Sequence, residues 1–288
     1  MNASAKRQRA RRGFTLVELL TVVVIIGILA SLITAAAIMA RTAALNAAVA
    51  VKISDVSIAV ESYKSENREY PPDFTDQNVV RRHLRTVFPH YAPNGDPYAQ
   101  MVTDLQNFYS LDPGNFDPAS ALVFWLGGLP QVAPGVNDPW MPAGFHADPA
   151  SPFKPGLPRI KPVYQFNPEE VRMQDGSGWL RIYPRGTERG PLVYFRARKS
   201  LMTGLSGYDG VVGYTHNGGG LCVPYLAPGN NTWRNQNTFQ IIHAGMDGQF
   251  ASSAAGTTRV SKTFAGFTDA DYDNITNFSS GTLEDETE

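Results

Sequence analysis

The chain has 288 residues, with 25 basic and 26 acidic side chains and a formal net charge of −1. This balance gives no sign of nucleic-acid binding, which a clustered basic surface would indicate. Its single cysteine excludes a disulfide framework within one chain.

The chain starts with a short basic leader, residues 1–13. The leader contains no acidic residue, and its basic residues are Lys6, Arg7, Arg9, Arg11 and Arg12. An apolar stretch follows from Phe14 to about Met39, longer than the roughly 20 residues that a helix needs to cross a bilayer. The positive-inside rule predicts that the leader stays in the cytoplasm and that the chain after the stretch lies outside. A plain signal anchor would have the same features.

Glu18 is the only charged residue inside the apolar stretch. A carboxylate in a membrane segment is costly, so it usually marks a function. The alternative is a side chain that simply reaches the membrane interface.

The segment Arg12-Gly13-Phe14-Thr15-Leu16-Val17-Glu18 resembles the type III prepilin signal of type IV pilins and type II secretion pseudopilins. The resemblance implies that a prepilin peptidase cuts between Gly13 and Phe14 and that the new Phe14 amine is N-methylated. It also implies that Glu18 helps to dock subunits in a filament. The chemistry is consistent, because a buried ammonium at Phe14 needs a partner such as Glu18 of a neighbouring subunit.

The helix is expected to continue well beyond the membrane. Ala35 stands where many pseudopilins have a proline, so no kink is predicted there. The positions Leu45, Val49, Ile53, Val56, Val60 and Tyr63 form one apolar stripe at helical spacing. The helix should end near Glu66, before Pro71. The stretch from Tyr63 to Pro72 resembles the helix end of major pseudopilins.

The rest of the chain is expected to form an α+β head. Residues 71–158 are predicted to be an irregular insertion with short helices, one of them from Asn78 to Phe88, and an apolar run from Ala121 to Leu126. Residues 159–288 are predicted to be an antiparallel sheet that covers the stripe of the helix. The predicted strands are Pro162–Phe166, Trp179–Tyr183, Leu192–Arg196 and Phe239–His243, with an extra one at Arg259–Phe264. The predicted organisation is therefore leader 1–13, transmembrane and assembly helix 14–39, amphipathic helix 40–70, insertion 71–158 and head 159–288, a type IV pilin-like fold.

Two C-terminal pieces predict a calcium loop. The pieces, Ile242–Gln249 and Asp269–Phe278, resemble the last strand and the following loop of type II secretion major pseudopilins. In that family the loop binds calcium. The acidic residues of the two pieces are Asp247, Asp269, Asp271 and Asp273. Carboxylates at alternate positions can converge on calcium, which takes six to eight oxygen ligands. A solvated acidic turn is the alternative. A stretch between Gln249 and Asp269 makes this loop longer than the family's.

Taken together, these features predict a G-type major pseudopilin with a large insertion, held in the bacterial inner membrane and assembled into a periplasmic filament. The expected partners are other copies of the chain, other pseudopilins, the prepilin peptidase and methyltransferase, the inner-membrane assembly platform and membrane lipid. Two alternatives stay open: a type IV pilus pilin for adhesion, motility or DNA uptake, and a membrane-anchored enzyme or binding domain. The five histidines are scattered and give no zinc spacing, which disfavours the enzyme.

Overall fold

The computed structural model describes residues 14–130, 141–173, 179–186, 190–199, 206–208, 211–215, 220–227, 232–250, 259–260 and 269–284. Contacts divide the chain into two compact units, one that ends at Ala44 and one that begins at Leu45. The helices are α1 (Leu16–Asn67), α2 (Gln77–Val87) and α3 (Pro97–Tyr109).

The long N-terminal helix is confirmed. Helix α1 runs without a break to Asn67, whose side-chain amide donates to the carbonyl of Tyr63. Arg68 then adopts a left-handed φ of 68°, which ends the helix before Pro71. The apolar stripe is confirmed as well: Val49, Ile53, Val56, Val60 and Tyr63 are buried, and Leu45 is half-buried.

Residues 71–130 contribute more regular helix to the core than their composition suggested. The predicted helix from Asn78 to Phe88 is confirmed as α2, which Asp76 caps through its carboxylate. Helix α3 was not predicted, although Asp96 caps it and Pro97 occupies its first turn, both recognisable start signals. The predicted apolar run is fully buried, and its second half forms a short π-helical segment, Val123–Gly127.

The strands of the described chain are short. They are β1 (Val171–Met173), β2 (Leu180–Ile182), β3 (Val193–Arg196), β4 (Arg198–Lys199), β5 (Ser206–Gly207), β6 (Tyr214–Thr215), β7 (Leu221–Cys222), β8 (Tyr225–Leu226), β9 (Phe239–His243), β10 (Arg259–Val260) and β11 (Ile275–Thr276). Strand β9 is central in an antiparallel sheet of order β11-β9-β3, with Tyr194 opposite Ile241. The pairs β1–β2, β4–β5 and β6–β7 are also antiparallel, whereas β8 and β10 are parallel.

One predicted strand is wrong. The segment Pro162–Phe166 is not a strand, and Tyr164 donates its backbone amide to the carbonyl of Leu126 in the π-helical segment. Pro162 has no N–H for a ladder, so this segment packs by its aromatic side chains instead. The predicted strands around β2, β3 and β9 are confirmed, and of Arg259–Phe264 only β10 lies among the described residues.

The stripe of α1 shares one hydrophobic core with the sheet and with the residues before it. This core contains Ile53, Val60, Trp125, Tyr194 and Ile241, all at most 3% exposed. The α+β class, with a long N-terminal helix followed by small antiparallel sheets in the type IV pilin-like manner, is therefore confirmed.

Candidate functional site

The N-terminal motif lies at the start of α1. Phe14 is 81% exposed, and the helix begins at Leu16. The backbone amide and the hydroxyl of Thr15 both donate to Oε2 of Glu18 at 2.9 Å, and the amide of Glu18 donates to the hydroxyl of Thr15 at 3.2 Å. This reciprocal pair is a capping box, and the Thr-x-x-Glu spacing that signals it was visible in the sequence.

The capping box places the Glu18 carboxylate near the predicted cleavage point. One of its oxygens is bonded to the amide of Thr15, the residue directly after Phe14. An ammonium created at Phe14 would therefore form within about one residue of a carboxylate from its own chain. Gly13, the other half of the predicted cleavage point, lies outside the described residues.

The first unit of the chain has no buried side chain among its described residues, which run from Phe14 to Ala44. Its large apolar side chains are exposed, for example Leu16 at 80%, Leu32 at 63% and Ile33 at 68%. In the part of the chain that the structure describes, α1 is the one helix long and apolar enough to cross a membrane. A helix that is apolar all round needs lipid or other helices around it.

The C-terminal acidic residues have different surroundings. Asp271 is fully buried, and its Oδ1 accepts from the hydroxyl of Tyr225 at 3.0 Å and from the side-chain amide of Asn274 at 3.3 Å. Asp273 turns to the 245–249 turn, where its Oδ2 accepts from the backbone amides of Met246 at 2.6 Å and Asp247 at 2.9 Å. The structure thus brings Asp273 to the Asp247 turn.

Two of the four predicted calcium ligands are less informative. The Oδ1 of Asp247 accepts from the amide of Gln249 at 2.7 Å within its own turn. The backbone of Asp269 begins a 3₁₀ turn that ends at Asp271, and its side chain lies outside the described part. Among described residues, no three histidine, cysteine or acidic side chains converge as a metal cluster.

Asp273 has the feature that best suits a cation. Its Oδ1 is buried and has no hydrogen-bond donor among the described residues. Burial raises the pKa of Asp273, and the negative charge of Asp247 raises it further, against the backbone amides that lower it. A calcium ion would satisfy this oxygen, and because carboxylates are few, backbone carbonyls and water would supply other ligands. Calcium at this loop stays a prediction.

The family model for the prokaryotic N-terminal methylation motif matches residues 8–34, which include Gly13, Phe14 and Glu18. The match identifies a prepilin-type N-terminus and supports membership in the type IV prepilin and pseudopilin family. The match covers the leader and the first part of α1. Neither curated proteins nor solved structures gave a significant match to the chain.

Membership in the prepilin family has direct consequences for the N-terminal motif. It implies processing by a prepilin peptidase and assembly with other pilin-like subunits. The exposed apolar surface of α1 up to Ala44 is consistent with membrane anchoring and with such assembly. The chain is therefore a structural, pilin-like protein.

The sequence analysis missed a buried network of hydrogen-bonded side chains in the head of this prepilin. The hydroxyl of Tyr63 lies 2.7 Å from Nε2 of His83, and Nδ1 of His83 lies 2.8 Å from Oε1 of Glu69. The other oxygen of Glu69 accepts from Nη2 of Arg196 at 2.7 Å. This network links the end of α1 to α2 and β3.

The protonation states of the side chains in this network follow from their surroundings. Burial lowers the pKa of His83 more than its bond to Glu69 raises it, so the imidazole is neutral at pH 7. Burial alone would raise the pKa of Glu69, but hydrogen bonds from His83 and Arg196 outweigh it and lower the pKa to about 2. Burial keeps Tyr63 protonated by raising its pKa, so Tyr63 donates to Nε2 and His83 donates from Nδ1 to Glu69.

The Tyr–His–Glu order resembles an acid–base relay, but its position suggests a structural role. The side chain of His83 is 0% exposed, so a substrate has no access to the imidazole. The ring of His83 also packs edge-on against Trp125, with 4.8 Å between centroids. The hydrogen bonds of Tyr63, His83 and Glu69 therefore fix the position of the end of α1 relative to α2 and β3.

Proposed function

We propose that this prepilin is the structural subunit of a periplasmic pseudopilus that belongs to a type II secretion system. Its basic leader would stay in the cytoplasm, and its head would lie in the periplasm. Prepilin peptidase would remove residues 1–13, and the subunit would then leave the inner membrane for a short filament. The subunit would act mechanically, as a scaffold or piston for protein export.

One observation carries the proposal: α1 is exposed up to Ala44, and its mainly apolar part, up to Met39, contains a single charged side chain, Glu18, near its start. In a filament, the helices of neighbouring subunits can cover this apolar surface. The Phe14 ammonium of one subunit can pair with Glu18 of the next and so set the stagger between them. A desolvated charge left without its partner costs several kcal/mol, so wrong registers are disfavoured.

Two features favour a secretion pseudopilus over a type IV pilus. The heads of adhesive or DNA-binding pilins are often tied by a disulfide, which a chain with Cys222 as its single cysteine cannot form. The C-terminal acidic pieces also resemble the calcium loop of major pseudopilins, as described above. We further propose that calcium binds there as a structural ion, with Asp273 as its most available carboxylate.

The first experiment is intact-mass measurement and N-terminal sequencing of the protein purified from its own membranes. A chain that begins with N-methyl-Phe14 is expected. A chain that keeps residues 1–13, or that is cut after the apolar stretch, would contradict filament assembly and favour an anchored enzyme or binding domain.

A second experiment separates secretion from pilus function. Deletion of the gene should remove exported proteins from the culture medium and leave surface pili and motility unchanged. Restoration by the wild-type gene, but not by one with a blocked cleavage site such as Gly13→Val, links the loss to processing, because Gly13 leaves with the leader and takes no part in the filament. Loss of pili with normal export would favour the pilus pilin.

A further inference from the structure

The head contains a cavity of about 210 Å³ that the assembly function does not use. Its walls come from the end of α1, the end of α2, the π-helical segment and the two chain stretches 144–149 and 160–163. The lining also includes the polar residues Glu66, His146 and Lys161, of which Glu66 and Lys161 are exposed. The aromatic and aliphatic residues of the lining include Tyr63, Phe88, Trp125, Phe145 and Val163.

A loop beside the cavity, Lys154–Lys161, is tied to the cavity wall. The backbone amide of Ile160 donates to the carbonyl of Phe145 at 2.8 Å. The guanidinium of Arg159 donates to the hydroxyl of Tyr109 and to three backbone carbonyls, those of Leu129, Gly144 and Gly156. These bonds join the loop to the π-helical segment's end of the cavity and to the 144–149 stretch, so the loop has a fixed position before any partner binds.

The 154–161 loop presents two large apolar side chains to solvent. Leu157 is 68% exposed and Ile160 is 52% exposed, and Ile160 also lines the cavity. Single exposed apolar residues are normal on a protein surface, but a group of them beside an open apolar cavity is typical of an interaction site. Because Arg159 fixes the loop, both side chains stay in solvent unless a partner covers them.

The same loop carries unpaired positive charge. It contains three basic residues, Lys154, Arg159 and Lys161, and no acidic residue. Among the described residues, none of the three has a carboxylate partner, since every acceptor of Arg159 is a carbonyl or a hydroxyl oxygen. The carboxylates near the cavity, Glu66 and Asp148, come from α1 and from the 144–149 stretch, so the positive charge is concentrated on the loop.

The size of the cavity favours one side chain of a larger partner. Most small-molecule sites have volumes of roughly 300–1,000 Å³, whereas an apolar cavity of about 150 Å³ already binds benzene. A volume of about 210 Å³ therefore suits one aromatic or branched aliphatic side chain. Protein interfaces have an apolar centre and a polar rim, and a few anchored side chains contribute most of the affinity.

We propose that the cavity and the 154–161 loop form a docking surface for an acidic segment of a partner protein. The segment inserts one apolar side chain into the cavity, packs on Leu157 and Ile160, and places its carboxylates near Lys154 and Lys161. An anionic lipid surface fits less well, because the carboxylates of Glu66 and Asp148 would repel its headgroups. The docking surface is the same whether the filament serves secretion or is a pilus.

Synthetic peptides provide the first test, with the full-length protein held in nanodiscs of neutral phosphatidylcholine. Fluorescein-labelled peptides carry a central leucine, phenylalanine or tryptophan between flanking aspartates, and binding is followed by fluorescence anisotropy. At least one of the three should bind saturably. A central alanine, or lysines in place of the aspartates, should weaken binding by about tenfold or more.

Matched variants locate the binding surface. Leu157→Ala and Lys161→Glu should each weaken binding, whereas Val212→Ala, at a position 67% exposed, and Lys199→Glu, also exposed, should not. Lys161→Glu should in turn bind the lysine-flanked peptide more tightly than the wild type does, which a merely unfolded variant would not do. Absence of saturable binding by all three acidic peptides, or equal effects of the test and control variants, would overturn the proposal.

A lipid partner gives a different result in the same nanodisc preparation, because the disc already covers the apolar part of α1. Sucrose-loaded phosphatidylglycerol vesicles are added and sedimented, and the bound protein is measured. The docking proposal predicts the same low level of sedimentation for the wild type and Lys161→Glu. Sedimentation that Lys161→Glu abolishes, without binding of any acidic peptide, would overturn the proposal and assign the loop to a lipid surface.

Discussion

Glu69 is the residue at which one substitution should most clearly change the stability of the head. Its side chain is 20% exposed and connects neutral His83 to the Arg196 guanidinium. Glu69→Gln keeps the shape but removes the charge that Arg196 needs. Removing one partner of a largely buried ion pair leaves the other charge uncompensated.

The expected magnitude follows from the pKa of Glu69. A pKa of about 2 in the folded chain, against an ordinary value of 4.5, corresponds to about 3 kcal/mol of stability at neutral pH. Part of that depression requires a charged His83, and the imidazole is neutral at pH 7. We therefore expect Glu69→Gln to lower the free energy of unfolding by about 2 kcal/mol at pH 7.

The pH dependence gives a second, independent measure. Because the folded pKa of Glu69 is depressed, its contribution is fully present above pH 4.5 and is lost as the pH falls from 4.5 towards 2. The wild-type protein should lose stability across this window more steeply than Glu69→Gln does. At the lower end of the window the two proteins should approach the same stability.

Urea unfolding of the full-length protein in detergent is a suitable assay. All four tryptophans lie after Ala44, so their fluorescence follows the second unit. Glu66→Gln is the matched control, because Glu66 is exposed in the last turn of α1, three residues before Glu69, and should change stability by less than about 0.5 kcal/mol. Equal free energies and equal pH slopes for Glu69→Gln and the wild type would refute the ionised, Arg196-paired state of Glu69.

Three further predictions concern the filament, the core and the calcium loop. Glu18→Ala should insert and be cleaved but give few filaments in a shear assay. Glu18→Gln keeps an acceptor for the helix cap and should give equally few filaments; a normal filament yield with Glu18→Gln would mean that Glu18 acts only as a cap. Ile53→Ala should destabilise the head by about 2 to 5 kcal/mol in urea unfolding, because Ile53 is 1% exposed, whereas Ile58→Ala, 67% exposed, should have little effect; similar losses would contradict the stripe. Asp273→Asn keeps an oxygen for the amides of the 245–249 turn, so its melting temperature should be lower than that of the wild type in calcium but not in chelator. An equal loss in both conditions would exclude a calcium role for Asp273.

Asp271 is a poorer choice for the calcium test than spacing suggests. Its carboxylate accepts from Tyr225 and Asn274 inside the core. Removing it would leave buried donors unpaired whether or not calcium is present. Three carboxylates at alternate positions looked equivalent in the sequence, but Asp271 and Asp273, the two whose side chains are described, bond to different partners.

Features that depend on neighbouring residues were predictable. The prepilin motif, the full length of α1, its buried stripe and strand β9 all follow from local order, because hydrophobic periodicity repeats every few residues. The capping box of Thr15 and Glu18 was equally accessible, since its two members are three residues apart. The prepilin-type motif required no fold at all, because it lies within one contiguous stretch, residues 8–34.

Features that depend on distant residues came only from the folded chain. Glu69 and Arg196 are 127 residues apart, and no local pattern indicates that they meet. The cavity around Trp125 likewise combines five separate stretches of chain. The wrong strand prediction at Pro162–Phe166 has the same cause, because the backbone of this segment bonds to Leu126 rather than to a neighbouring strand. Local propensity determines which elements can form, whereas burial and hydrogen bonding between distant segments decide which of them meet.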